Sequence, residues 1–307
     1  MIKLIIHQKI LYDIFYGKVV NWCYTIKELK KYFEHYLIAT DGEAASFEPP
    51  SGISLSEIMT VCIFFHLSGY RTFKWYYTKL IQKEYRKFFP KLVSYNRFVE
   101  LMPYAAMPLA LFVQSMGASS PCTGISFVDS TTLDVCDSHR IQQHKVFEGT
   151  AQRGRSSTGW FYGFKLHLVI NDRGEILSFC LTPGNVDDRN RKVMAHLTKN
   201  LFGKLFADKG YVSKKLFAEL LDKGVELITK QKKNAKNPGM LRLTDRLLLR
   251  KHAVIESVND FLKNTCQIEH SRHRSGCNFI VNLVSGLAAY SFLPKKPSIY
   301  AGNMTFA

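Results

Sequence analysis

The stretch Gly124-Ile125-Ser126-Phe127-Val128-Asp129-Ser130-Thr131-Thr132-Leu133 sets an acidic residue in the middle of an apolar, β-branched run. Apolar residues fall on both phases of the alternation, the pattern of a central strand covered on both faces. An unpaired carboxylate there costs several kcal/mol, so Asp129 requires a compensating partner. A bound metal would serve, and so would a neighbouring cation.

Downstream, a polar, basic segment runs from His139 to Ser157 and contains Arg140, Lys145, Arg153 and Arg155. Gly163 to Ile170 then alternates as a strand, Asn171-Asp172-Arg173-Gly174 is a hairpin turn, and Glu175 to Thr182 is the returning strand. After the loop Pro183-Gly184-Asn185 comes a helix with Val193, Met194, Leu197 and Leu201 inward. Leu205 to Asp208 is a short strand ending on a carboxylate and entering the turn Lys209-Gly210-Tyr211. Ser213 caps the next helix, Gly224 stops it, and Val225 to Thr229 is a fifth strand. The order β-β-β-α-β-α-β followed by a helix predicts a mixed α/β sheet whose parallel part is joined by right-handed crossovers.

Lys230 to Asn237, with Lys230, Lys232 and Lys233, has four lysines and no acid, and reads either as a solvated loop or as a phosphate contact. Thr244 caps a helix with the apolar stripe Leu248, Ile255, Val258 and Leu262. Glu256 lies off that stripe, on a face shared with His252, Asn259 or Asp260, and Lys263.

Upstream, residues 1 to about 50 have helical spacing, and Ser54-x-x-Glu57 is a capping box for a helix to about Leu67. Tyr70 to Phe89 interleaves Arg71, Lys74, Lys79, Lys83, Arg86 and Lys87 with aromatics, and Ser94 caps a further helix. These helices read equally as a helix-turn-helix-like DNA module or as a helical cap. The chain thus divides into an α-helical region, 1–120, a catalytic domain, 121–293, and a tail, 294–307.

The net charge of +17 and pI near 9.5 favour a polyanionic partner, nucleic acid or an anionic membrane face. Residues 1–120 carry only 14 Lys+Arg against 9 Asp+Glu, so most of the excess travels with the rest. Seven irregularly spaced cysteines without a Cys-x-x-Cys pair read as reduced cytosolic thiols. No signal peptide or 18-residue apolar span is read, so no membrane is expected.

Three carboxylates have distinct contexts: Asp129 within a strand, Asp208 at a strand end and Glu256 on a helix. Chemistry collects at the carboxyl ends of parallel strands, and crowded carboxylates raise one another's pKa values unless a cation intervenes. A pair of Mg²⁺ or Mn²⁺ ions would resolve that repulsion and support displacement at phosphorus. The rival Asp187 and Asp188 begin a helix, where capping is the favoured reading. Lys165 and His167 share a strand face, so either could point toward the site, and a strand-surface role is the favoured reading.

Val128-Asp129-Ser130-Thr131, Tyr162-Gly163-Phe164-Lys165-Leu166-His167, Leu181-Thr182-Pro183-Gly184-Asn185-Val186-Asp187-Asp188, Ala207-Asp208-Lys209-Gly210-Tyr211, Ile255-Glu256 and Ser271-Arg272-His273-Arg274-Ser275 together resemble bacterial insertion-sequence transposases of the DDE type, and among these the insertion-sequence 982 family. The resemblance, over about residues 54–293, implies a ribonuclease H-like core and a cytoplasmic enzyme. Its implied activity is metal-dependent cleavage of double-stranded DNA at terminal inverted repeats and strand transfer into target DNA, performed as a homodimer without a small-molecule cofactor. Asp129, Asp208 and Glu256 become the implied catalytic metal ligands. Lys263 matches a phosphate-binding lysine of the insertion-sequence 4 pattern, while His252 and Leu249 stand where that pattern has Arg and Tyr, leaving Arg250 or Lys251 as substitutes. Lys74, Lys209, Lys230, Lys232, Lys233, Arg272 and Arg274 are the other DNA-contact candidates. A nuclease without strand transfer would use the same triad, and a DNA-binding regulator would not need it.

Overall fold

The computed structural model describes residues 52–156, 159–230, 241–270 and 273–300. The helices read within residues 1–50 and the candidates Lys232, Lys233 and Arg272 lie outside the described residues. The chain forms two compact units: Met1–Val113 with Thr265–Ile268 and Arg274–Phe292, and Gln114–Asn264 with Glu269–His273 and Leu293–Ala307.

The second unit is built on one mixed sheet. Its strands are β1 (Ile125–Cys136), β2 (Gln152–Ser156), β3 (Gly159–Asn171), β4 (Ile176–Pro183), β5 (Gly203–Ala207) and β6 (Val225–Thr229), in the order β2-β3-β1-β5-β6 with β4 also on β3. The run around Asp129 is a central strand, as its two-phase apolar pattern requires. It pairs antiparallel with β3 and parallel with β5, and β5 pairs parallel with β6. The parallel part of the sheet is therefore present as expected. The sequence reading missed β2, whose five residues are mostly polar and lie at an edge.

The pleat sorts side chains by parity. On one face Val128, Val169, Leu205, Ala207 and Leu227 pack with Val193, Met194 and Leu197 of α4 (Arg191–Leu197) and with Leu216 and Leu220 of α5 (Lys214–Leu221). On the other face the rings of Phe127 and Phe206 meet at 5.5 Å, and His252 meets Phe127 edge-on. The helix read from Thr244 onward is two helices, α6 (Leu243–Arg250) and α7 (Ala253–Asp260), entered from Arg242 rather than Thr244, with Leu249 rather than Leu248 buried.

The tail is anchored where it is described. Ile299 N–H donates to the Asp172 carbonyl (3.1 Å) and the Tyr300 hydroxyl to Asp172 Oδ2 (2.6 Å), on the β3–β4 turn.

In the helical unit, α1 (Leu55–Leu67) starts at the predicted capping box, Ser54 Oγ accepting from Glu57 N–H and Glu57 Oε2 accepting from Ser54 N–H. The basic, aromatic segment is a π-type helix over Tyr76–Glu84, with its rings turned inward. Tyr76 and Tyr77 are fully buried, their hydroxyls donating to the carbonyls of Val61 and Val93, while Lys74 and Trp75 stay outside. Next come α2 (Tyr95–Leu101) and α3 (Ala106–Ser119). The run Tyr95–Ser119 is long and apolar enough to cross a membrane by length and composition, which corrects the sequence reading. Phe98, Leu101, Leu109, Phe112 and Val113 are nevertheless spent on the core. The final helix α8 (Gly276–Ser291), assigned by sequence to residues 121–293, belongs to this helical unit, with Gly286 held so close to Ile268 that an added Cβ would lie 2.3 Å from its side chain.

A Cβ on Gly163 would lie 2.0 Å from the Leu133 carbonyl oxygen on β1, a backbone atom that cannot step aside. Gly163→Ala is expected to lose on the order of 3 kcal/mol or more in chemical denaturation, and wild-type stability would refute the strand contact. His167 is buried with Nε2 2.9 Å from Thr182 Oγ1, and burial lowers its pKa to about 4, with Asp188 pulling the other way. Because the folded value lies below the unfolded one, the unfolded chain takes up the proton first. Stability should therefore fall as pH drops from about 6.5 to about 4, by on the order of 3 kcal/mol at most from this group, and His167→Gln should flatten that slope in thermal melts.

Candidate active site

Asp129 and Asp208 are brought together by backbone register. Val128 is the parallel partner of Ala207, so the next residue on each strand is one of these acids, at the carboxyl end of β5. The third acid comes from α7, which is tied to β1 at two points. The buried His252 ring has Nε2 3.2 Å from the Val128 carbonyl, which can only accept, so Nε2 carries the proton. About two turns further on, the Asn259 amide donates to Asp129 Oδ2 at 3.0 Å. Glu256, between these anchors, points outward with its side chain 63% exposed.

Electrostatics identifies these groups as one cluster. Asp129 is pushed up to about 7, first by burial, then by the charges of Asp188, Glu256 and Asp208, against the lowering effect of the Ser130 backbone hydrogen bond. Lys230 Nζ stands 3.9 Å from Asp208 Oδ1, an exposed pair of little energetic weight. His252 Nδ1 is 4.0 Å from Glu256, but burial lowers the imidazole pKa, so the ring is neutral near pH 7 and forms no ion pair. Its burial also removes it from any DNA contact, whereas Arg250 and Lys251 are exposed.

The sequence missed the role of Asp188. The cap of α4 is Asn190, and Asp187 pairs with the neighbouring Arg189 (2.7 Å). Asp188 instead accepts from Ser130 Oγ at 2.9 Å and from Lys165 Nζ at 3.1 Å, and Lys165 also donates to the Val186 carbonyl. Ser130 and Lys165 project from the sheet face opposite Asp129, so this network clamps the Pro183–Asp188 loop beneath the acids. Tyr211, buried beside the same carboxylates, has its pKa raised well above normal, chiefly by burial. Lys165 is therefore a half-buried cation with a fixed partner rather than a strand-surface residue.

The other candidates are scattered. Lys209 is exposed on the turn after Asp208. Lys263 is engaged, its ammonium 3.0 Å from Glu269, whose Oε1 accepts from Asp134 N–H. Lys74 and Arg274 are exposed residues of the helical unit.

Among the described residues no three His, Cys, Asp or Glu side chains stand together as a ready metal-holding group. The donor set nonetheless suits a hard divalent cation: carboxylate oxygens only, one of them desolvated and destabilised as an anion by three like charges. Asp208 and Glu256 are exposed, while Asp129 is held by Asn259.

Residues 119–276 match a family model described as the transposase DDE domain. Nothing among the curated proteins matches. Among solved structures, the cryo-EM structure of a piggyBac transposase synaptic complex with hairpin DNA is similar with a TM-score of 0.47 and 10% identity, over 93% of this chain and 74% of that chain. A likeness that distant supports nothing about the chemistry here. The domain match extends over just over half of the 307 residues and includes Asp129, Asp208 and Glu256, and the chain belongs to the transposase DDE-domain family.

Proposed function

We propose that this transposase cuts double-stranded DNA at the terminal inverted repeats of an insertion sequence of the 982 type and joins the freed ends to target DNA. Asp129, Asp208 and Glu256 are the carboxylates that carry the reaction. The observation that carries this reading is the parallel register placing Asp129 beside Asp208 under a helix bearing Glu256, with the central carboxylate destabilised by its neighbours. The strand order with a carboxylate at the centre of β1 fits a ribonuclease H-like core. A cytoplasmic, bacterial enzyme working as a homodimer on two DNA ends fits the same reading.

Asp129, Asp208 and Glu256 would hold Mg²⁺ or Mn²⁺. When bound, the metal supplies charge neutralisation and lowers the pKa of an attacking water or 3′-hydroxyl. The protein's own groups do the positioning. Asn259 fixes the Asp129 rotamer through Oδ2, and the Lys165–Asp188–Ser130 network immobilises the loop and the strand on which Asp129 sits. Lys209, Lys230, Arg250 and Lys251 are cations available to DNA phosphates, and Lys232 and Lys233, outside the described residues, remain candidates by sequence. Lys263 would reach phosphate only by leaving Glu269.

Nicking of a supercoiled plasmid carrying the native element tests the assignment. Asp129→Ala, Asp208→Ala and Glu256→Ala should each lose at least about 1000-fold in Mg²⁺-dependent nicking. Asp188→Ala, which only loosens the supporting network, should lose about 10-fold. Full activity in any triad variant sinks the assignment. Independently of activity, Mn²⁺ should raise the thermal midpoint of the wild type but not of Asp129→Asn. Without metal, Asp129→Asn should melt higher than the wild type, by on the order of 1 kcal/mol, because a desolvated, repelled charge is removed. A metal response retained in Asp129→Asn rules this carboxylate out as a ligand.

A further inference from the structure

The β2–β3 hairpin has no part in the site just described, yet it is built to a pattern. Its inner face is pressed flat: Phe161 and Gly154 are buried, and a Cβ on Gly154 would lie 2.2 Å from the Gly184 carbonyl oxygen. On the outer face Arg155 is the cross-strand partner of Trp160, and Arg153 that of Tyr162. The Arg153 and Arg155 guanidiniums lie 5.0 and 5.8 Å from the centroid of the Trp160 ring, which is 58% exposed. Among the described residues neither arginine has an acidic partner within salt-bridge distance. Two like charges are thus gathered over one indole with no acidic partner among the described residues, an arrangement relieved by an anion with repeated charges.

Position says which part of an anion. The one irregularity in the pairing of β3 with β1 puts its extra residue on β1, between Asp134 and Cys136, so β3 keeps its own alternation and Trp160, Tyr162, Phe164, Leu166 and Leu168 share one side of the pleat. Leu168 is the cross-strand partner of Asp129, which puts the hairpin's cationic face on the same side of the sheet as the candidate catalytic carboxylate. Eight residues of strand separate Trp160 from Leu168, a distance of about 26 Å, or roughly eight base pairs of duplex. Residues two apart on a strand are about 6.6 Å apart, a spacing suited to neighbouring phosphates of one DNA strand.

We propose that Arg153 and Arg155, held in place by Trp160, form a clamp on the phosphate backbone of duplex DNA roughly eight base pairs from the point of cutting. The proposal rests on the DNA-cutting reading above and adds the surface that fixes flanking DNA. Arginine supplies the planar donors for phosphate, and the indole limits the entropy lost on binding by holding the guanidiniums beforehand. Trp160 is a positioning residue here.

The test is fluorescence anisotropy of a labelled DNA duplex of arbitrary sequence, about 30 base pairs long, titrated with the full chain without divalent metal, from about 50 to about 200 mM KCl. Removing both charges as R153Q/R155Q should reduce the slope of log affinity against log salt by about 1.8, close to two phosphates released. R153K/R155K should retain the slope. W160A should weaken binding with the slope kept, because both charges remain. A wild-type slope in R153Q/R155Q, with its thermal midpoint intact, overturns the clamp while leaving the DNA-cutting reading standing. Absence of salt-dependent binding in the wild type overturns both. A W160A loss confined to a single strand of the same length overturns the backbone assignment in favour of base stacking.

Discussion

The constraint on which the active unit turns is that ladder hydrogen bonds hold two carboxylates side by side. Val128 and Ala207 are parallel partners, and neither strand can slip without moving the whole inward set of β1 and β5 to the wrong face. Asp129 and Asp208 therefore stay adjacent whatever their charges prefer. Helix α7 increases the crowding by adding Glu256, and Asp188 acts from beneath. Repulsion of this kind is tolerated because apolar packing on both sheet faces outweighs it, with Val128, Ala207, Phe127 and Phe206 all fully buried. The strain is electrostatic rather than conformational, so an ion can relieve it without refolding.

The two faces of β1 divide the work. On the Asp129 side, Asn259 reaches the carboxylate from α7, and His252 secures the same helix one strand residue earlier. On the opposite side, Ser130 shares Asp188 with Lys165 and draws the Pro183–Asp188 loop against the sheet. Each arrangement satisfies a buried polar group while fixing one neighbour of Asp129 in the chain. Opening either would leave a donor or acceptor unpaired in a low-dielectric setting, which costs more than the bond itself contributes.

Much of this was legible in the sequence because it depends on period and punctuation. The two-phase apolar run around Asp129, the Asn171–Gly174 turn, the Ser54–Glu57 capping box and the ending of β5 on Asp208 are local signals. What failed depends on partners distant in sequence. Asp188 carries a capping residue's local signature, but its partners Ser130 and Lys165 are 58 and 23 residues away. Lys263, a phosphate-contact candidate by resemblance, is paired with Glu269, a contact beyond the helical spacing that sequence can read. The aromatics of Tyr70–Phe89 interleave with basic residues in sequence, yet the fold buries Tyr76, Tyr77, Tyr85 and Phe89. β2 escaped notice because an edge strand buries too little for an apolar pattern to show.

The charge balance sharpens the case for a cation at the acids. The chain carries +17 overall, which attracts DNA from a distance, but that field is screened within about 8 Å at physiological salt. Inside that range a phosphate approaching Asp129 meets Asp208 and Glu256, with Asp188 already committed to Lys165 and Lys230 only loosely beside Asp208. The long-range attraction thus delivers DNA to a spot that, by its own charges, repels it. A divalent ion shared between carboxylates and phosphate would reverse that sign locally, which His252, buried and neutral, Lys165, held by Asp188, and Lys263, paired with Glu269, do not.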